Sequence, residues 1–147
     1  IMAKIVLDTN ILVYFYDSEE VVKHQLAANL LSDLQQQRLA CLPVQVLSEF
    51  MNLTRRRLSM KPDEAYRHVS ALILSWEIIP LTPAVVLEAA RGVRDYQLAY
   101  FDAQIWATAR LNQIPVIFSE DFNTGAILEG VHFVNPFLPT FRLADWL

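Results

Sequence analysis

The sequence predicts an α/β domain, three layers (α/β/α) built on a central, mainly parallel sheet of four to five strands. Three observations lead there. Short apolar runs that end at turn or cap residues alternate with segments of helical period, which is the pattern of strand–helix–strand crossovers. The chain is 54% hydrophobic with a mean hydropathy of +0.26, as a sheet covered on both faces requires. Its 147 residues suit one domain, assigned to 2–147, which buries roughly 70% of its unfolded surface without staples.

The elements follow in order. Residues 4–8 read as a buried strand and 9–16 as the helix or turn behind it. Over 19–38, Val22, Leu26, Leu30 and Leu34 recur about every four residues, a helix. "LACLP" (39–43) is a second strand, stopped by Pro43, which is tolerated near the first turn of a helix reaching to about Leu58. Pro62 and two acids open a helix over 61–76, with Ala65, Val69, Leu72 and Ile73 on one face. "WEIIPL" (76–81) is a third strand. Thr82 caps the next helix and Pro83 takes its first position. Residues 101–113 form a further helix, 114–120 a strand, and "HFVNP" (132–136) the last strand. The apolar tail "NPFLPTFRLADWL" either covers a helix or joins an interface.

Composition removes several function classes. No apolar run approaches the roughly 18 residues of a membrane span, and Asp8 interrupts the apolar start too early for a signal peptide. One cysteine, Cys41, permits no internal disulfide and is expected in the core, which fits a cytoplasmic setting. His24, His68 and His132 are scattered and give no zinc spacing. The net charge of −4 does not look like that of a nucleic-acid binder.

The carboxylates are less ordinary. In "KIVLDTNILVYFYD", Asp8 stands between two segments that want burial, where an unpartnered carboxylate costs several kcal/mol or neutralises itself. Either Asp8 caps a helix or something positive sits beside it. Glu49 lies on a stripe with Gln45, Asn52 and Arg56, opposite Val46, Leu47, Phe50 and Leu53. Asp102, in "LAYFDAQIWATA", shares a helical face with Ile105, Trp106 and Ala109; the plain alternative is a first-turn acid favoured by the helix dipole. In "VIFSEDFNTG", Ser119, Glu120, Asp121, Asn123 and Thr124 crowd a turn after a strand, where Asp and Asn are also ordinary. Asp8 and Asp121 both follow strands, so an open parallel sheet brings them to one end, where ligands bind. Acids gathered there repel, and a hard divalent cation such as Mg²⁺ or Mn²⁺ removes the conflict through oxygen ligands.

"IVLDTNILVY", "LSEFMNL", "LAYFDAQIWATA" and "VIFSEDFNTG", in this order and closed by "VHFVNPF", resemble the four acidic motifs of the PIN domain family over nearly the whole chain. The compact size resembles the VapC-type toxins of bacterial toxin–antitoxin pairs. The resemblance implies a metal-dependent endoribonuclease (Mg²⁺ or Mn²⁺) cutting single-stranded or loop RNA. It maps the acids to Asp8, Glu49, Asp102 and Asp121, with Thr9, Asn10 and Ser119 in support, and prefers Asp121 over its neighbour Glu120. It implies a small antitoxin partner and a homodimer. The alternative is a non-catalytic RNA- or protein-binding module on the same fold.

With the four acids set aside, the rest of the chain carries no net charge, so bulk acidity does not exclude RNA. Arg55, Arg56 and Arg57, with Lys61 beyond, are candidates to track phosphates. Tyr14, Tyr16, Tyr96 and Tyr100 are candidates to stack bases. A receiver domain would need an aspartate after the third strand and a late lysine; "WEIIPL" has no such aspartate, and no lysine follows Lys61. A haloacid-dehalogenase-like phosphatase would need Asp-x-Asp where this chain has Asp8-Thr9-Asn10.

Overall fold

Three apolar residues, Ile5–Leu7, form the strand β1, each fully buried; Ile5 and Val6 pair on both edges and Leu7 with Phe118. In this computed structural model, which describes residues 3–147, β1 is central to the sheet. The expected domain start at Met2, and Ile1 before it, lie outside the described residues. After β1 come α1 (Thr9–Tyr16), α2 (Val21–Gln37), β2 (Ala40–Pro43), α3 (Val44–Arg56), α4 (Pro62–Ser75) and β3 (Glu77–Ile79). Then follow α5 (Pro83–Tyr96), α6 (Tyr100–Leu111), β4 (Val116–Phe118), β5 (Ile127–Leu128), β6 (Val131–Val134) and a 3₁₀ turn at Leu143–Trp146.

The strand order is β3-β2-β1-β4-β6-β5, parallel except for the β5–β6 pair. Six strands thus replace the expected four to five. The extra one, β5, is two residues long and pairs antiparallel with β6; so short a run leaves no alternation to read. The chain winds outward from β1 to β3, then returns across to β4. Right-handed crossovers therefore put α1 to α4 on one face and α5 with α6 on the other, in keeping with the packing of these helices against one another. The winding reverses between β1 and β4, and in such sheets that reversal is where ligands bind.

Trp106, Phe50, Phe118 and Phe133 are the largest fully buried side chains, each contributing about 1.5–3 kcal/mol by its burial. Gly92 lets α5 close on α6: a Cβ there would come within 2.9 Å of the Trp106 ring. Cys41 is fully buried, and burial pushes its thiol up to about 12, so it is core as expected. Thr82 caps α5 by accepting from Val85 N at 3.3 Å, with Pro83 opening the helix.

Two periodicities overreach. On α2, Leu30 and Leu34 are buried, but Val22 and Leu26 face outward; Ala27 and Leu31 complete the inner face instead. On α4, Ala65 and Leu72 are buried while Ile73 is exposed. The tail covers the domain's own aromatics. Phe137 meets the Tyr14 ring edge-on at 5.1 Å, Phe141 meets Phe118 at 5.3 Å, and Trp146 meets His132 at 5.8 Å. No helix among the described residues is long and apolar enough to cross a membrane.

Candidate active site

Asp8 follows directly on β1. Its backbone N–H continues the ladder by donating to Phe118 O at 3.0 Å, so the end of β1 is tied to the end of β4. One step on, Ser119 N donates to Val134 O at 2.9 Å. Both candidate segments are therefore held by backbone bonds.

The two readings of Asp8 prove compatible. Asp8 is the N-cap of α1, and its Oδ1 accepts from Thr9 N at 2.7 Å. Its Oδ2 is left for the site and accepts from Ser119 Oγ at 2.7 Å. Burial, with the charges of Asp121 and Glu49 adding to it, raises the Asp8 carboxyl to about 6 despite the hydrogen bonds from Ser119 and Thr9 that oppose the rise.

Asp8, Glu49, Asp102 and Asp121 line one cleft of about 230 Å³ together with Thr9, Asn10 and Gln45. Four elements supply them: Asp8 the end of β1, Glu49 α3, Asp102 α6, and Asp121 the turn after β4. The supporting residues act as expected of hydroxyls and amides. Thr9 Oγ1 donates to Glu49 Oε2 at 2.7 Å. Asn10 Nδ2 reaches Ser119 Oγ and Asp121 Oδ2, each at 3.1 Å. Asp121 N donates back to Ser119 Oγ at 3.1 Å.

Asp102 differs from the rest. Desolvation raises its carboxyl above the usual range, the Asp121 and Glu49 charges add to that, and no hydrogen bond opposes it. None of the four acids forms an ion pair among the described residues. Glu120 also lines the cleft, but its carboxylate is already engaged. Its carboxylate accepts from the Tyr14 hydroxyl and from Lys23 Nζ at 2.8 Å, so it is spent on α1 and α2. Asp121, not Glu120, is the acid linked to Asn10 and Ser119.

The donor set fits a hard divalent cation: every candidate ligand is a carboxylate oxygen, and two of the acids are driven toward protonation by burial and by their acidic neighbours. No three His, Cys, Asp or Glu side chains among the described residues close into a ready-made metal cage. An open fence of this kind suits Mg²⁺, which keeps several waters and takes one or two carboxylates directly.

Several candidates are placed elsewhere. Tyr14 is buried and serves Glu120; Tyr16 packs on Phe50 and His68; Tyr96 bonds Glu129. The aromatic that lines the cleft is Phe101, which is 63% exposed. Its neighbours in sequence make it read as helix core, so the pattern hides it. Of the three consecutive arginines only Arg57 lines the cleft, bridged to Asp17 at 3.5 Å and lying 5.3 Å from the Tyr14 ring. Lys61 faces a separate hollow beside Arg67. Gln45 and Gln104 are both buried polar residues. Gln45 stands one helical turn before Glu49, which is a readable signal; Gln104 gives none.

The PIN domain family matches residues 5–125. The chain belongs to the PIN domain family. Solved structures of similar shape agree on the fold. A toxin–antitoxin complex from Klebsiella pneumoniae is 21% identical, with a TM-score of 0.66 over 89% of this chain and 96% of that one. VapC20 of Mycobacterium tuberculosis, described as a sarcin-ricin loop cleaving toxin, is 20% identical, with a TM-score of 0.69 over 85% and 97%. VapBC2 from Rickettsia felis, bound to a DNA fragment from its promoter, is 15% identical, with a TM-score of 0.65 over 88% and 96%. No curated protein matches the chain.

Proposed function

We propose that this PIN domain is a divalent-metal-dependent endoribonuclease that hydrolyses single-stranded or loop RNA, and that it is the toxin of a VapBC-type pair. The observation that carries the reading is the set of four carboxylates, from four elements, lining one cleft without a single ion pair. Such an arrangement costs stability unless a cation belongs there.

Asp8 and Asp102 are the residues assigned to hold the ion directly, with Glu49 and Asp121 acting through water. When bound, Mg²⁺ or Mn²⁺ activates a water and neutralises charge on the scissile phosphate. The chain's own residues do the rest. Ser119 and Thr9 N–H hold Asp8 still, and Asn10 ties Asp121 to the same hydroxyl. Glu49, fixed by Thr9, orients the attacking water. Water adds to phosphorus, the bond to the 3′ oxygen breaks, and that oxygen takes up a proton from solvent. The products carry a 5′-phosphate and a 3′-hydroxyl. Arg57, on the cleft wall, meets a neighbouring phosphate.

The toxin–antitoxin complexes among the structural neighbours support a small protein partner, whose flexible segment would lie over this cleft with an arginine near the acids. A homodimer belongs to the same proposal. The test is total RNA incubated with wild type or Asp8→Asn in Mg²⁺, Mn²⁺ or EDTA, with the cut ends sequenced. Metal-stimulated cuts by wild type, absent with Asp8→Asn, are expected. Folded wild type that never cuts would make the domain a binding module.

A further inference from the structure

Glu49 is held from two sides, and the second side leads away from the cleft. Gln45, one turn earlier on α3, donates from Nε2 to Glu49 Oε1 at 2.9 Å and to the Phe101 carbonyl at 2.9 Å. Gln104 Nε2 on α6 donates to Gln45 Oε1 at 2.8 Å. The Tyr100 hydroxyl donates to Gln104 Oε1 at 2.9 Å. Gln45 and Gln104 are 5% and 4% exposed, so these amides have no water to fall back on.

The direction of this chain is forced. The Phe101 carbonyl accepts only, so Gln45 must turn its Nε2 toward it. That leaves Gln45 Oε1 to accept from Gln104, and Gln104 Oε1 to accept from Tyr100. The donors from Tyr100 through Gln104 and Gln45 then lead to Glu49, with the second Gln45 N–H on the Phe101 carbonyl. The chain also crosses from the helix that carries Asp102 to the helix that carries Glu49, and those helices lie on opposite faces of the sheet. Both amides are satisfied within this chain, and loss of either would strand the other.

We propose that Gln45 and Gln104 are positioning residues: a one-way amide chain that fixes the Glu49 carboxylate and locks its distance from Asp102. The proposal rests on the nuclease reading above. Outer contacts of this kind govern ligand orientation rather than substrate contact.

The test uses the full chain with Gln45→Met, Gln104→Met, the double variant, Gln104→Glu and Tyr100→Phe. Either single variant strands the buried amide of the other glutamine, which removing both avoids, so the double variant guards against simple unfolding. Expected is a fall in kcat of about tenfold for Gln45→Met, less for Gln104→Met and least for Tyr100→Phe, with KM for RNA little changed. Mn²⁺ affinity, read by titration calorimetry without RNA, should weaken in the same order. Gln104→Glu keeps the size but cannot donate when ionised, and should match Gln104→Met. Wild-type kcat and Mn²⁺ affinity in the folded double variant would overturn the proposal alone. Wild type that neither cuts RNA nor binds Mn²⁺ would overturn the nuclease reading and this proposal with it.

Discussion

Two clusters of acids in this molecule are treated in opposite ways. At the outer side of α5 and α6, Glu88 is paired with Arg91 at 2.6 Å and with Arg110 at 2.5 Å. Glu129 is paired with Arg91 at 2.7 Å and Arg110 at 3.1 Å. The hydrogen bond from Arg91 lowers the Glu88 carboxyl, and that from the Tyr96 hydroxyl lowers Glu129. In the cleft, burial raises Asp8 and Asp102, and their acidic neighbours raise them further. One cluster is complete within the chain. On the proposed function, the other is completed by a cation from outside the chain. The same side-chain chemistry then makes a surface brace in one place and a receptor for positive charge in the other.

The sharpest break of this contrast is Asp8→Asn. A carboxyl raised in the folded state to about 6 from an ordinary 3.8 favours the folded state only below about pH 4. That advantage is lost as pH rises through 6, leaving a cost of up to about 3 kcal/mol above it. Asp8→Asn should therefore be more stable than wild type in EDTA at pH 7.5, and the gap should close near pH 4. Thermal melts across pH in EDTA read this directly; a less stable Asp8→Asn at pH 7.5 would contradict it.

Metal should do what the substitution does. Mn²⁺ at about 100 times its Kd should stabilise wild type by roughly 2.7 kcal/mol at pH 7.5, and much less at pH 5, where protons compete for the same oxygens. Melts of wild type and Asp102→Asn with Mn²⁺ would check it, the variant gaining little. A gain of equal size in both would remove Asp102 from the site.

Arg57→Ala tests whether this cation, the one that lines the cleft among the described residues, serves substrate. KM for RNA should rise about three- to tenfold, kcat should hold, and the salt dependence of binding should flatten. The smallest effect falls on the paired cluster. Glu88→Gln should lower Tm by about 2–4 °C, less at high salt, with RNA cleavage and Mn²⁺ binding unchanged. Loss of cleavage with Glu88→Gln would erase the division between the two regions.

Legibility in the sequence followed the range of the forces. The Thr82-Pro83 start and the burial of β1 rest on neighbours a few residues apart and are readable; residues 9–16 read as helix or turn and are the helix α1. Asp8 and Asp102 stand out because apolar neighbours flank each; Glu49 on its polar stripe and Asp121 in its turn do not, and only the order of the four motifs singles them out. The two-residue β5 is not readable, since its only reason to exist is its pairing with β6. Lys23 and Glu120 stand 97 residues apart, so nothing local announces that Glu120 is already engaged. The outward turn of Val22, Leu26 and Ile73 depends on where neighbouring helices end, which period alone does not state.

The hydrogen bond from Ser119 to Asp8 spans 111 residues. β1 leaves the synthesis machinery first, but its partner β4 follows only after most of the chain has been made. At ordinary elongation rates that interval is roughly 6 to 20 s. A nascent chain therefore displays Asp8 and Glu49 well before Asp102 and Asp121 exist to join them. On the proposed function, the growing polypeptide lacks part of its acidic cleft until Asp121 has been made.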